Sequence, residues 1–178
     1  LALERYPDAR GKLSTLMKEN SEDAEIVMAA GQAEEAIGQK DEAEKLLTRA
    51  IELAPTSFAT YLALSQFYFK QNKVDRASET LNAAATKVDD SSEMRRMLGQ
   101  AELARNQVES AVHEFKRAVE LDPQDLDARF GLAIAYRKSG KLADASALFD
   151  EIGKRDPQYA NLTLERGLLF EAQGDYEK

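Results

Sequence analysis

Apolar and polar positions along the chain fall into short stripes of helical period. Residues 26–37 place Ile26, Ala30, Ala33 and Ile37 on one side, with acids and amides between them, which predicts an amphipathic helix. A glycine and a polar turn follow, and then a second stripe in which Ala43 and Leu47 lie four residues apart on one face. This pair of stripes recurs. Ala9, Ala43, Ala77, Ala111 and Ala145 are each 34 residues apart, as are Leu13, Leu47, Leu81, Phe115 and Phe149. Gly38, Asn72, Asn106, Gly140 and Gly174 keep the same interval, and so do the small residues Gly31, Ser65, Gly99, Ala133 and Gly167. Pro55, Pro123 and Pro157 fit the series, with Asp89 at the missing place. Such columns define an internal repeat, set at 24–57, 58–91, 92–125 and 126–159.

Each column has a physical reason. Gly and Asn tolerate the positive φ that ends a helix. The acids after them, Asp41, Asp75 and Glu109, favour a helix N-terminus. The small residues let paired helices approach, the Leu/Phe column fills the layer between hairpins, and the prolines stop the second helix. Residues 1–23 fit the second helix of an earlier repeat and 160–178 the first helix of a later one, so about ten helices are predicted. Ending inside a hairpin, the chain is expected to be a piece of a longer array whose cut ends self-associate.

These residues resemble the tetratricopeptide repeat family. Leu98-Gly99, Ala111, Phe115, Ala118 and Pro123 follow its pattern, as do Leu132-Ala133, Tyr136, Ala145, Phe149 and Pro157. Ala30-Gly31, Ala43, Leu47, Ala50 and Pro55 follow it less fully, and Leu64-Ser65, Tyr68, Ala77, Leu81 and Ala84 lack the proline. The family's early Trp is absent, and Glu34 and Glu102 occupy aromatic positions. The resemblance implies an all-α, right-handed α-solenoid of helix-turn-helix hairpins, a single solenoid over 1–178.

Composition narrows the chemistry. Lys plus Arg total 24 against 32 Asp plus Glu, a net charge of −8, which argues against a nucleic-acid partner. With no Cys there is no thiolate metal site or cysteine nucleophile; one His, His113, cannot build a zinc site or a Ser-His-Asp relay with a spare, and no cofactor or metal is expected. His113 falls on an outer face. No apolar run approaches the roughly 20 residues of a membrane span, so direct membrane insertion is not expected. The missing Cys leans slightly toward a bacterial envelope location.

The resemblance further implies that the first helix of each repeat lines a concave groove. Its inward positions include Glu25, Met28, Gln32 and Glu35, then Leu62, Gln66, Phe69 and Lys70, then Glu93, Arg96, Gln100 and Leu103, then Phe130, Ile134, Arg137 and Lys138. The last helix adds Asn161, Leu164, Leu168 and Glu171. Gln32, Gln66 and Gln100 form a ladder able to pair with the backbone of an extended peptide. Leu62, Phe69, Phe130, Ile134, Leu164 and Leu168 offer apolar anchors, and Lys70, Arg96, Arg137 and Lys138 suggest an acidic ligand. The competing account of each is ordinary: solvated glutamines, apolar residues buried by neighbouring helices, and solvated charges. The cations of the family's chaperone-binding carboxylate clamp are absent: Met28, Gln32, Ala63, Glu93 and Met97 stand in their places. The leading expectation is a non-enzymatic scaffold or adaptor that binds a protein or peptide partner in the groove. The alternative is a structural or self-assembly spacer within a larger complex.

Overall fold

The computed structural model describes residue 11 and residues 20–174. It is an all-α solenoid of helical hairpins, with nine helices among those residues: α1 (Ala24–Ala36), α2 (Lys40–Leu53), α3 (Phe58–Lys70), α4 (Val74–Ala85), α5 (Ser92–Ala104), α6 (Val108–Leu121), α7 (Leu126–Lys138), α8 (Leu142–Arg155) and α9 (Leu162–Gln173). The expected helix within 1–23, and the turn onward from Asp175, lie outside the described residues.

Hairpin turns repeat one hydrogen-bond pattern. Gly38, Asn72, Asn106 and Gly140 all have positive φ, between 57° and 84°. The N–H of the following residue reaches back five positions: Gln39 to the Glu34 carbonyl at 2.8 Å, Lys73 to Tyr68 at 2.9 Å, Gln107 to Glu102 at 2.8 Å and Lys141 to Tyr136 at 2.9 Å. This Schellman closure satisfies carbonyls that the helix end would otherwise leave unpaired.

The first helices begin on a second column. Asp23 Oδ1 accepts from Glu25 and Ile26 N–H, Ser91 Oγ from Met94 N–H and Asp125 Oδ1 from Ala128 N–H. Ser57 holds the same position without a side-chain cap bond. Tyr159 is next in the series and cannot cap. There the 34-residue spacing calls for a helix from residue 160, yet α9 starts at Leu162, after Asn161 in the left-handed region at φ 62°. The Tyr159 ring instead packs on Phe130, centroids 4.9 Å apart, and its hydroxyl donates to Asp127.

The chain divides into two compact units at Asp89–Asp90. In the first, α1 pairs with α2 and α3 with α4, and α3 also packs on α2 and α1. Its core joins Ala43, Leu47, Ala63, Leu64, Phe67, Tyr68 and Ala77. In the second, α5 pairs with α6 and α7 with α8; α7 packs on both α5 and α6, and α9 packs on α8 and α7. Its clusters centre on Phe115 and on Phe149. In both units the main packing partners of a helix are thus its neighbours one or two places along the chain.

The predicted columns supply these cores. Ala43, Ala77, Ala111, Ala145, Leu47, Leu81, Phe115 and Phe149 are all fully buried. A Cβ built on Gly31 would lie 2.9 Å from Leu47 Cγ, and one on Gly99 2.9 Å from the Phe115 ring, so glycine is what allows the helices this approach. One further column ties the first helix to the loop before it. Tyr61 Oη donates to the Pro55 carbonyl at 3.0 Å, and Arg129 Nη1 donates to the Pro123 carbonyl, each six residues back. Arg95 holds the same place in the repeat that lacks the proline, and there it binds the Asp90 carboxylate instead.

Candidate functional site

In the first unit, α1 and α3 turn Gln32 and Gln66 outward. Both are exposed, and they line a shallow cavity of about 500 Å³ with Glu35, Ala36, Ala63 and Lys70. Lys70 Nζ donates to Glu35 Oε2 at 3.0 Å; the lysine is 66% exposed and the glutamate 13%. Glu35 Oε1 is buried without a hydrogen-bond partner among the described residues.

The expected apolar anchors sit lower. Leu62 is half-buried and Phe69 packs on the core of its unit. In the second unit Phe130 meets Phe149 edge-on at 5.8 Å as well as Tyr159, and Ile134 packs on the same cluster. Among the described residues Leu164, 62% exposed, is the large hydrophobic side chain left open to solvent. Phe69 is covered by the core of its own unit, and Phe130 by Phe149 of its own hairpin and by Tyr159.

Three of the four expected cations act as struts. Besides Lys70, Arg96 Nε lies 3.5 Å from Asp125 and Nη1 3.9 Å from Asp127, while Ser92 Oγ donates to Asp125 at 2.9 Å. Arg137 Nε and Nη2 both donate to Glu165 Oε2, at 3.1 and 2.8 Å. Lys138 is exposed and has no ion-pair partner among the described residues. An incoming carboxylate would therefore compete with Glu35, Asp125 and Glu165 for all but one of these cations. Gln100 is exposed at the ladder position of α5, in the second unit. His113 is on the surface, with Nδ1 3.0 Å from Glu114 Oε1.

Two charge nodes escaped the sequence reading. Glu44, on α2, accepts from the Tyr68 hydroxyl at 3.1 Å and pairs with Lys73 and Arg76. Burial works to raise the Glu44 carboxyl, but the Tyr68 bond and the two cations hold it below its usual value; burial and the same bond push the Tyr68 phenol up. Asp90 takes both Arg95 and Arg117. Burial works against its charged form too, yet the two guanidinium groups keep it below the ordinary carboxylate value. The Tyr159 phenol is raised by burial and by the Asp127 carboxylate that accepts its hydrogen bond. The available signal was separation. Lys70 and Glu35 are 35 residues apart and Arg137 and Glu165 are 28 apart, so opposite charges about one repeat apart on first helices mark the struts.

Among the described residues no helix is long and apolar enough to cross a membrane, and no cluster of potential metal ligands forms. The tetratricopeptide repeat profile matches residues 1–58, 41–101 and 102–164. A 131 kDa subunit of transcription factor tau from Saccharomyces cerevisiae is 26% identical over 155 residues, which is 86% of this chain and 15% of that protein. The chain thus spans a small part of that relative's length. YrrB, described as a TPR protein with an unusual peptide-binding site, superposes with a TM-score of 0.74 at 22% identity, over 93% of this chain and 85% of YrrB. A chain of the APC/C hetero-tetramer Cut9-Hcn1 superposes at 0.76 with 17% identity, over 97% of this chain and 34% of that one. The fold is shared with both of these solved structures. With its repeat columns, turns and hairpin packing all in register, this chain belongs to the tetratricopeptide repeat family.

Proposed function

We propose that the chain is a non-enzymatic adaptor that takes an extended segment of a partner protein along the face of its first helices. Gln32 and Gln66, both in the first unit, would contact the partner's main chain. The observation that carries this reading is the cavity between α1 and α3, where the Gln32 and Gln66 side chains stand exposed and make no side-chain hydrogen bond to a described residue. A primary amide offers both a donor and an acceptor, which suits a peptide backbone of any sequence. The peptide-binding site named for YrrB supports the same reading by likeness of fold.

The test is affinity capture of partners with wild type and with Gln32→Ala/Gln66→Ala. Both positions are exposed, so helicity is expected to be unchanged. A protein held by wild type and lost by the double variant supports the adaptor. Equal retention by both moves the contact to another face. The match to 15% of a much larger subunit favours a second reading, a spacer within a larger assembly. That reading predicts no groove-dependent partner at all.

A further inference from the structure

The strut pattern assigns a polarity to the cavity between α1 and α3, which rests on the adaptor reading and deepens it. We propose that this cavity receives a basic side chain, Lys or Arg, of an extended partner segment, and that Glu35 is its acceptor. This reverses the acidic ligand expected from the cations in the sequence.

Several carboxylates of the chain take two cations, while others, such as Glu165 with Arg137, take one. Glu44 holds Lys73 and Arg76, Asp90 holds Arg95 and Arg117, and Glu151 holds Arg129 and Arg155. Each of these carboxylates serves two cations. Glu35 serves one: Lys70 occupies Oε2, and Oε1 is buried without a hydrogen-bond partner among the described residues. A carboxylate oxygen removed from water and left unmatched is unfavourable, and a cationic donor relieves it better than a neutral one. The last side-chain torsion of a glutamate is soft. A partial turn can bring Oε1 toward the cavity, where an arriving donor meets it, while Oε2 stays within reach of Lys70.

The surroundings fit the same occupant. Gln32 and Gln66 line the cavity beside Glu35, so an amide can bind the peptide unit that carries the basic side chain. Lys70 is 66% exposed and held by a single contact, so it can swing away from an incoming cation. The chain's net charge of −8 favours a basic segment at long range.

The experiment titrates the protein by calorimetry with an acetylated, amidated peptide of alternating alanine and arginine. Twin peptides carry serine or glutamate in place of arginine. The expected result is binding of the arginine peptide, no binding of the glutamate twin, and at least about tenfold weaker binding to Glu35→Gln. Glu42→Gln, which removes an exposed charge from α2 of the same unit, leaves the affinity unchanged, and Lys70→Ala does not weaken it. Equal losses in Glu42→Gln and Glu35→Gln would reduce the effect to diffuse charge and overturn the assignment. Equal binding of the serine twin, lost in Gln32→Ala/Gln66→Ala, would overturn the role of Glu35 while leaving the adaptor reading intact. Absence of binding by any of the peptides would overturn the inference for this cavity, and partner capture would then judge the adaptor reading separately.

Discussion

The Phe115 ring occupies the space into which a side chain on Gly131 would project. A Cβ at residue 131 would overlap the ring, and Phe115 also closes on Gly99 of its own hairpin. One aromatic from α6 is thus received by bare backbone on both α5 and α7, and its burial is complete. The glycines trade helix propensity for this contact. Gly131→Ala is expected to destabilise the protein by about 1–3 kcal/mol through overpacking. Gly167, on α9, has nothing within 4 Å of a Cβ built on it, so Gly167→Ala is expected to stabilise by ~0.5–1 kcal/mol. Urea denaturation of the two variants reads opposite shifts of the midpoint.

Half-burial separates folding residues from binding residues. Phe130 packs on Phe149 and Tyr159, so Phe130→Ala is expected to lose roughly 2–3 kcal/mol, somewhat less than a full core truncation. Leu164→Ala removes a side chain that is 62% exposed and is expected to change stability by less than about 0.5 kcal/mol. Thermal melts of both variants check this. A comparable loss at Leu164 would mean that it packs on something in solution, and sedimentation would identify a second copy.

The cap column makes a local prediction. Asp125→Ala removes the acceptor of the Ala128 N–H and the partner of Ser92 and Arg96 together. A loss of about 1–2 kcal/mol is expected, above that of an isolated cap. At Tyr159 the reverse change, to Asp, creates a residue able to cap but removes the ring from Phe130. Hydrogen exchange at the start of α9 would show whether the helix then begins earlier.

Asp90 brings a pH dependence of stability. Its folded carboxyl lies below the ordinary value, so the unfolded chain binds its proton first as pH falls. The stabilisation is complete above the usual carboxylate value near pH 4 and fades as pH drops through the lower folded value. Asp90→Asn is expected to flatten the decline of Tm over that acid window and to lower Tm at neutral pH. Melting curves of wild type and variant from neutral pH into the acid range check the sign.

The fold was legible because columns 34 residues apart are set by backbone needs that few side chains meet. A positive φ at Asn72 or Gly140 and the close approach at Gly99 restrict composition wherever they occur. The start of α9 was not legible, because the failing cap at Tyr159 matters only once its ring finds Phe130. The exposed face was legible, and the state of its charges was not. Gln32, Gln66 and Gln100 are exposed as expected, but whether Lys70 or Arg137 greets a ligand depends on Glu35 and Glu165, roughly a repeat away. Helical period locates a face; it does not say which charges on it are already neutralised by the neighbouring helix.

Packing restricted to near neighbours along the chain has a kinetic consequence. Among the described residues no helix must search for a partner far along the sequence, so loop-closure entropy is small at each step and contact order is low. Folding can start at whichever hairpin forms first and spread helix by helix, much as a zip closes from any engaged tooth.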